Sequence, residues 1–417
     1  MRVSGHWLAL TVLTACSDPS RMTASDDASG TTLNASTDPA DTTASPTRGE
    51  ASSSGAPPTS GNSDSMTGDT GEVTTASTGD NADTRATTTT TTTDTGETGD
   101  TGDDTTGGAV PGAFCGPIPA CNAPPPTLPG QLEESSGYSR GRDMMYVEGD
   151  EQWILAKFTK WGFPTDKDIV GGTVHVFLDR GCSGDWIELG TTQTTDDGDH
   201  PTIEGVDDSG GRVFFKIPAE ETLELGRHRV HLIEDEEWET AELLIDIVPA
   251  GAPFFVSDVD GTLTTSENEE AWDFLVDALP DANPFAAQAL TMLAGKGYRP
   301  MYITARPEWL DRRTRQFVAT RNFPRGLIHT TTTYGGANGD PAAAYKAGEF
   351  ARLGQKGLVP SFLFGNRPSD GIAFESAGVQ PLDHRIFFQY TDVEGGRRIE
   401  SYEELLAEFA VLPDLCK

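Results

Sequence analysis

Apolar residues are distributed along this chain in three distinct ways. From Ser17 to about Val110 they are nearly absent: Thr, Ser, Asp, Gly and Ala dominate, with a threonine run from Thr87 to Thr93 and loose TGDT and TGET repeats. From about Gly137 to Val248 they come in short runs alternating with polar residues, most clearly at Val174, Val176 and Leu178 and at Val230 and Leu232. Period-two alternation marks strands with one buried face. The runs are MMYVEG, QWILAKFT, GTVHVFLD, WIELGTTQT, RVFFKI, HRVHLIED and AELLIDIV, and separators such as DDGDH and DDSGG are turn chemistry.

After Ala250 the period changes. Strand-like runs (PFFVSD, RPMYITA, GLIHT, SFLFGN, RIFFQYTD) now alternate with helical stretches (EEAWDFLVDAL, PFAAQALTMLAGKG, PEWLDRRTRQFVATRNF, PAAAYKAGEFARLGQKG, DGIAFESAG, SYEELLAEFA). In PEWLDRRTRQFVATRNF, Leu310, Phe317 and Val318 share one helical face. Strands alternating with helices predict an α/β fold, a Rossmann-like parallel sheet covered on both faces. The seven earlier runs, with no helix between them, predict an immunoglobulin-like β-sandwich in front of it.

The rest of the chain adds context. It opens MRVSGHWLALTVLTACSDPS: Arg2, an apolar stretch from Trp7 to Leu13, then a small-residue site at Cys16. This is the form of a secretory signal, too short for a membrane span. Its ending LTAC resembles a bacterial lipobox, which implies lipidation of Cys16 and a protein anchored at the cell envelope, facing the periplasm or in the outer membrane. The Thr/Ser/Asp/Gly-rich stretch has no Lys and few apolar residues, cannot bury enough surface to offset ordering, and reads as a disordered tether. The expected organisation is a signal over 1–16, a tether over 17–110, a proline-rich lead-in over 111–136, a sandwich over 137–250 and an α/β domain over 251–417. The net charge of −35 makes nucleic acid a poor partner. Apart from Cys16, the cysteines are Cys115, Cys121, Cys182 and Cys416, an even number that suggests two disulfides. Cys115–Cys121, or a staple from one of these to Cys416, is the favoured pairing.

In a parallel sheet, ligands bind at the carboxyl ends of strands. FFVSDVDGTLTTSE places Asp258 and Asp260, then Gly261 and Thr262, at one such end; MYITARP offers Thr304 and Arg306; Lys346 opens the stretch YKAGEFARL; FLFGNRPSD offers Asn366 and Asp370. Acids at the end of an apolar strand are costly to bury unless their charge is offset. These types in this order resemble the haloacid dehalogenase superfamily of phosphohydrolases, whose first motif residues 254–263 match without a gap. More finely, FVSDVDGTLTTSE, PMYITARPEWLDRRTRQFV, FGNRPSDGIAFESAGV and RIFFQ look like the lipin/Ned/Smp domain, firmly over about 254–411. That family includes the phosphatidate phosphatases called lipins and a phosphatidylinositol-transfer group whose copy of the domain binds phosphatidate. The lipin amino-terminal block is not recognisable here, and lipins are not normally exported.

The resemblance implies a Mg²⁺-dependent phosphatase. Asp258 would be the nucleophile, Asp260 the acid and base, Thr304 and Lys346 the phosphoryl stabilisers, with Gly261, Thr262 and Arg306 binding substrate. The metal would be held by Asp258, the Asp260 carbonyl and Asn366 or Asp370. Simpler roles exist for several of these residues. Thr304 could cap the next helix, Lys356 could replace Lys346, Asn366 could brace its turn, Asp370 could be an N-cap, and Arg306 could pair with an acid. His384 reads as structural. Between Leu263 and Ile303 there is room for two helices but no large cap, so the site should be open to a bulky or membrane-borne phosphomonoester. A binding-only module for anionic lipid and a nucleotide or polynucleotide-end phosphatase are the alternative readings.

Overall fold

The computed structural model describes residues 118–131, 135, 138–160, 162, 166–265, 279–393 and 395–416. The expected signal, Cys16, the tether, Cys115 and the helix predicted from Glu269 lie outside the described residues.

Among the described residues ten strands precede residue 250: β1 (Arg140–Arg142), β2 (Met144–Val147), β3 (Trp153–Lys157), β4 (Thr159–Lys160), β5 (Lys167–Asp168), β6 (Thr173–Asp179), β7 (Trp186–Gln193), β8 (Arg212–Lys216), β9 (Gly226–Glu234) and β10 (Thr240–Val248). Each of the seven predicted runs overlaps a longer strand among them. The additions, β1, β4 and β5, span only two or three residues, too short to show a period. The strands form a five-stranded sheet, β2-β10-β9-β6-β7, and a three-stranded sheet, β1-β3-β8, with β4 and β5 paired apart. The alternation drives the layering: Val174, Val176, Leu178, Val230 and Leu232 pack in one core with Ile154 and Val213 of the smaller sheet. Within the two sheets pairing is antiparallel except at the edge, where β2 runs parallel to β10.

The second half follows as β11 (Phe254–Ser257), α1 (Ala286–Gly295), β12 (Arg299–Pro307), α2 (Asp311–Thr320), β13 (Leu327–Thr331), α3 (Asp340–Gln355), β14 (Phe362–Gly365), α4 (Pro368–Ser376), β15 (Arg385–Phe388), β16 (Arg397–Ile399) and α5 (Glu403–Val411). All six strands are parallel, in the order β13-β12-β11-β14-β15-β16. Successive side chains of β11 point to opposite faces. Phe255 joins the core under α1, α2 and α5, while Phe254 and Val256 join the one under α3 and α4. The predicted face is buried as expected at Phe317 and Val318 of α2 and at Leu310, which ends the short 3-10 turn just before it. The chain order reverses at β11, which opens a crevice beyond its carboxyl end, between β12 and β14. Among the described residues no helix is long and apolar enough to cross a membrane.

Buried charge joins the two halves into one compact unit. Asp143, between β1 and β2, accepts the Leu244 and Ile328 N–H groups at 2.7 and 2.8 Å and pairs with Arg315 at 2.8 Å. His329 places one ring nitrogen 2.6 Å from Glu349 and the other 2.7 Å from the Asp143 carbonyl. Glu308, just beyond β12, accepts from Arg140 at 3.0 Å and from Arg212 at 2.9 and 3.2 Å.

The favoured pairings that involve Cys121 are corrected, while a staple from Cys115 to Cys416 falls on a residue outside the described ones. Cys121 is bonded to Cys182, not to Cys115 or Cys416, and Cys416 is itself disulfide-bonded. The lead-in lies across the sandwich, where Arg229 donates to the Cys121 and Ala123 carbonyls and Trp186 to that of Pro124. Those contacts carry Cys121 to the turn after β6, 61 residues on. Sequence proximity gave no hint of this.

Burial alone would raise the Glu308 carboxyl, but Arg140 and Arg212 outweigh it and hold it below its ordinary range. Such a depressed acid stabilises the fold above its unfolded value, about pH 4, and the contribution is lost as the pH falls through the folded value. Glu308→Gln, which leaves the buried Arg212 guanidinium without a carboxylate and Arg140 with Asp166 alone, is expected to lower stability by about 3 kcal/mol at neutral pH. Urea denaturation across pH should show the gap between the two proteins closing in acid.

Candidate active site

Asp258 follows β11 directly, and its N–H donates to the Phe364 carbonyl of β14 at 2.9 Å. This sheet-like bond fixes the residue at the crevice, where its side chain is 5% exposed. Three residues on, Gly261 has φ +72°, a left-handed conformation that disfavours any side chain. Its N–H donates to Thr264 Oγ1 at 2.9 Å. Asn283 Nδ2 donates to the Thr262 and Thr264 carbonyls at 2.8 and 3.1 Å, and the Tyr402 hydroxyl donates to Thr262 O at 3.1 Å. Asn283 and Tyr402 were missed by the sequence reading. Asn283 sits in the turn-forming DANP and Tyr402 at the start of an acidic helix, and neither local pattern signals a distant carbonyl.

Lys346 lies within α3, 3% exposed. Its ammonium donates to Asp258 Oδ1 and to Asp370 Oδ1, both at 2.6 Å. Lys356 is elsewhere, donating to the Met145 carbonyl and paired with Glu204. Asp370 is the third residue of α4 rather than its N-cap. Its Oδ2 accepts the Asn366 and Arg367 N–H groups at 2.9 and 3.1 Å, closing a capping box. This packing depends on Gly365, where an added Cβ would meet Asp370 Cβ at 2.5 Å. Thr262 Oγ1 lies 3.0 Å from both Asp258 Oδ2 and Asn366 Oδ1.

The second acid stands apart from this cluster. Asp260 is clasped by Arg306, whose Nε lies 3.0 Å from both carboxylate oxygens and whose Nη2 lies 2.6 Å from Oδ1. Thr304 donates to Asp260 Oδ2 at 3.0 Å and accepts the Arg306 N–H, so it caps no helix. Arg306 is braced in turn by Thr314 at 3.1 Å. Of the two roles read for Arg306, the structure has the one that pairs with an acid. His384 stacks on Phe362 and contacts the Ser361 carbonyl, remote from the site.

The electrostatics answer the question of buried acid at a strand end. Burial pushes the Asp258 carboxyl up, to about 7, against the pull of Lys346, with Asp370 and Asp260 adding to the rise. For Lys346, burial works against the charge, but Asp258 and Asp370 outweigh it and raise it above the ordinary lysine range. Asp260 and Arg306 balance each other. With both carboxyls ionised, one ammonium between Asp258 and Asp370 leaves one negative charge in excess. In addition, a single Thr262 hydroxyl proton serves two acceptor oxygens.

A set of hard oxygens with an excess negative charge and too few donors fits a hard divalent cation of the Mg²⁺ type. Asp258 and Asn366, joined through Thr262, are the side chains available, and the family resemblance adds the Asp260 carbonyl. Asp370 is further back, its oxygens already taken by three N–H donors. Among the described residues no group of three or more His, Cys, Asp or Glu side chains converges with metal-binding spacing. This set differs because an amide and a main-chain carbonyl supply part of it.

Residues 255–388 match the family model for the LNS2 domain of PITM 1-3. The match spans Asp258, Asp260, Thr262, Asn283, Thr304, Arg306, Lys346, Asn366 and Asp370, and ends before Tyr402. Membrane-associated phosphatidylinositol transfer protein 1 of Rattus norvegicus is 26% identical over 190 residues, covering 45% of this chain and 14% of that protein. Protein retinal degeneration B of Drosophila melanogaster is 26% identical over 201 residues, covering 48% and 14%. The chain thus aligns with about one-seventh of these relatives' length. A class C acid phosphatase from Bacillus anthracis, solved with tungstate bound, overlaps 29% of this chain and 54% of that one at 20% identity, with a TM-score of 0.23.

Lys346→Met should strand the Asp258 and Asp370 acids and lower stability by about 3 kcal/mol, read by urea denaturation near pH 7. Adding Asp370→Asn should recover part of that loss. A single variant as stable as the parent would mean that the ammonium does not hold the site together.

Proposed function

We propose that the α/β half is a Mg²⁺-dependent phosphohydrolase acting through an aspartyl-phosphate, on phosphatidate or another membrane-accessible phosphomonoester. The convergence of Asp258, Lys346, Thr262 and Asn366 at the reversal point of the sheet carries this reading. Asp258 attacks phosphorus as the bond to the leaving alkoxide breaks. Two of the three Lys346 N–H groups hold Asp258 and Asp370, and the third is free to meet a phosphoryl oxygen. Asp260 protonates the alkoxide, then takes a proton from the water that hydrolyses the intermediate and releases inorganic phosphate. A cation bound at Asp258, the Asp260 carbonyl and Asn366 would suppress repulsion between an anionic nucleophile and an anionic ester. Lipid at Cys16 would hold the site at an envelope membrane, which suits a phosphate borne by a lipid.

A second reading has its own observation. Arg306 and Thr304 occupy the Asp260 carboxylate from two sides, and turnover needs Arg306 to swing towards the substrate phosphate and release it. If it does not, the domain is a non-catalytic module that holds anionic lipid. Relatives named for phosphatidylinositol transfer suit that alternative.

Phosphate release by the whole chain separates these readings, measured with phosphatidate vesicles, p-nitrophenyl phosphate and nucleotides, with and without Mg²⁺. The enzyme reading predicts release that needs Mg²⁺ and that Asp258→Asn abolishes while folding is kept. Vesicle binding with no release from any substrate would favour the module. Release from nucleotides alone would remove the lipid assignment.

A further inference from the structure

At the other end of the sheet, a cavity of about 400 Å³ lies where the sandwich meets the α/β half. Arg325 and Gly326, just before β13, line it, and none of Asp258, Asp260, Thr304, Lys346 or Asn366 does. Its size is that of a small-molecule site. Leu243 and Leu244 from β10, and Val318 and Ala319 from α2, supply apolar wall. The lead-in backbone at 119–122 forms another side, held in place by the Cys121–Cys182 bond and by Arg229.

Four arginines line the same space. Three are matched to acids: Arg227 with Asp246 at 2.7 Å, Arg229 with Glu242 at 2.6 Å, and Arg315 with Asp143 at 2.8 Å and Asp311 at 2.7 Å. Arg315 still has a buried Nη2 with no hydrogen-bond partner. Arg325 is exposed and donates to the Ala120 carbonyl, and among the described residues no carboxylate pairs with it. In a chain with a net charge of −35, an unmatched guanidinium at the mouth of a part-apolar cavity calls for an anion. Guanidinium favours planar or tetrahedral oxyanions, which it meets with paired N–H donors.

We propose that this cavity binds a single-chain anionic amphiphile, its carboxylate or phosphate-ester head on Arg325 and its hydrocarbon against Leu243, Leu244 and Val318. The site is distinct from the phosphohydrolase site and does not depend on that activity. Because the lead-in is covalently fixed over it, the pocket is formed before the ligand arrives, which spares the ordering that binding otherwise requires.

Isothermal titration of the whole chain with octanoate, octyl phosphate and inorganic phosphate tests this. Two surface variants report on the cavity: Arg325→Glu reverses the head contact, and Ala319→Trp fills the space from an exposed position. Each should weaken binding of the better octyl ligand by about tenfold or more, a loss of about 1.4 kcal/mol. Release of phosphate from p-nitrophenyl phosphate, if the chain has that activity, should be unchanged. The preferred octyl compound identifies the head group. No octyl binding to the parent chain, unchanged binding in both variants, or inorganic phosphate bound as tightly as octyl phosphate would each overturn the proposal.

Discussion

One ammonium between two buried acids holds this site in its form. Asp258 ends β11, Asp370 lies in the first turn of α4, and Lys346 reaches both from α3. None of the three is stable alone at that depth, because an isolated charge away from water carries a penalty of several kcal/mol. The parallel sheet brings them together: β14 returns beside β11 after the chain has passed through β12 and β13. Gly365 then lets α4 start close enough for Asp370 to cap its own helix and reach the lysine. Strand order, glycine and charge triad are one constraint seen at three scales.

The arithmetic of that triad shapes the chemistry. A balanced cluster would be an inert ion pair. Here two acids meet one base, and a single hydroxyl proton is divided between Asp258 and Asn366. The excess of oxygen and of negative charge lies at the carboxyl end of β11, where a cation and then a phosphoryl group would complete it. Asp260 follows the opposite logic, its charge matched by Arg306. The first acid thus shares its cation with Asp370, and the second has a cation to itself. The difference between a working phosphatase and a binding domain rests on how readily that second pair opens.

Much of this was legible in the sequence because it is written locally. Period-two alternation located seven strands of the first half, and helix-strand alternation located the parallel sheet. The run Asp258-Val259-Asp260-Gly261-Thr262, with Thr304, Lys346 and Asn366 after it, announced the crevice residues. What the sequence withheld depends on contacts between distant segments. No periodicity reveals that Arg306 turns to Asp260, that Tyr402 steadies the Thr262 carbonyl, or that Cys121 meets Cys182. The ionic joint of Asp143, Arg315, Glu308 and Glu349 was equally hidden. Its members look like ordinary surface charges until the two halves close over them. That joint ties the sandwich to the segment just past Arg306, so the first half acts as a brace for the site.

The central claim is that Asp258 takes up a phosphoryl group beside a divalent cation. Beryllofluoride, which adds to a nucleophilic carboxylate as a phosphoryl mimic, tests it without requiring a known substrate. Thermal unfolding of the whole chain should shift upward when Mg²⁺ and beryllofluoride are present together, and the Asp258→Asn protein should not respond. A parent chain that melts at the same temperature with and without them, or a variant that shifts as far as the parent, would contradict the account.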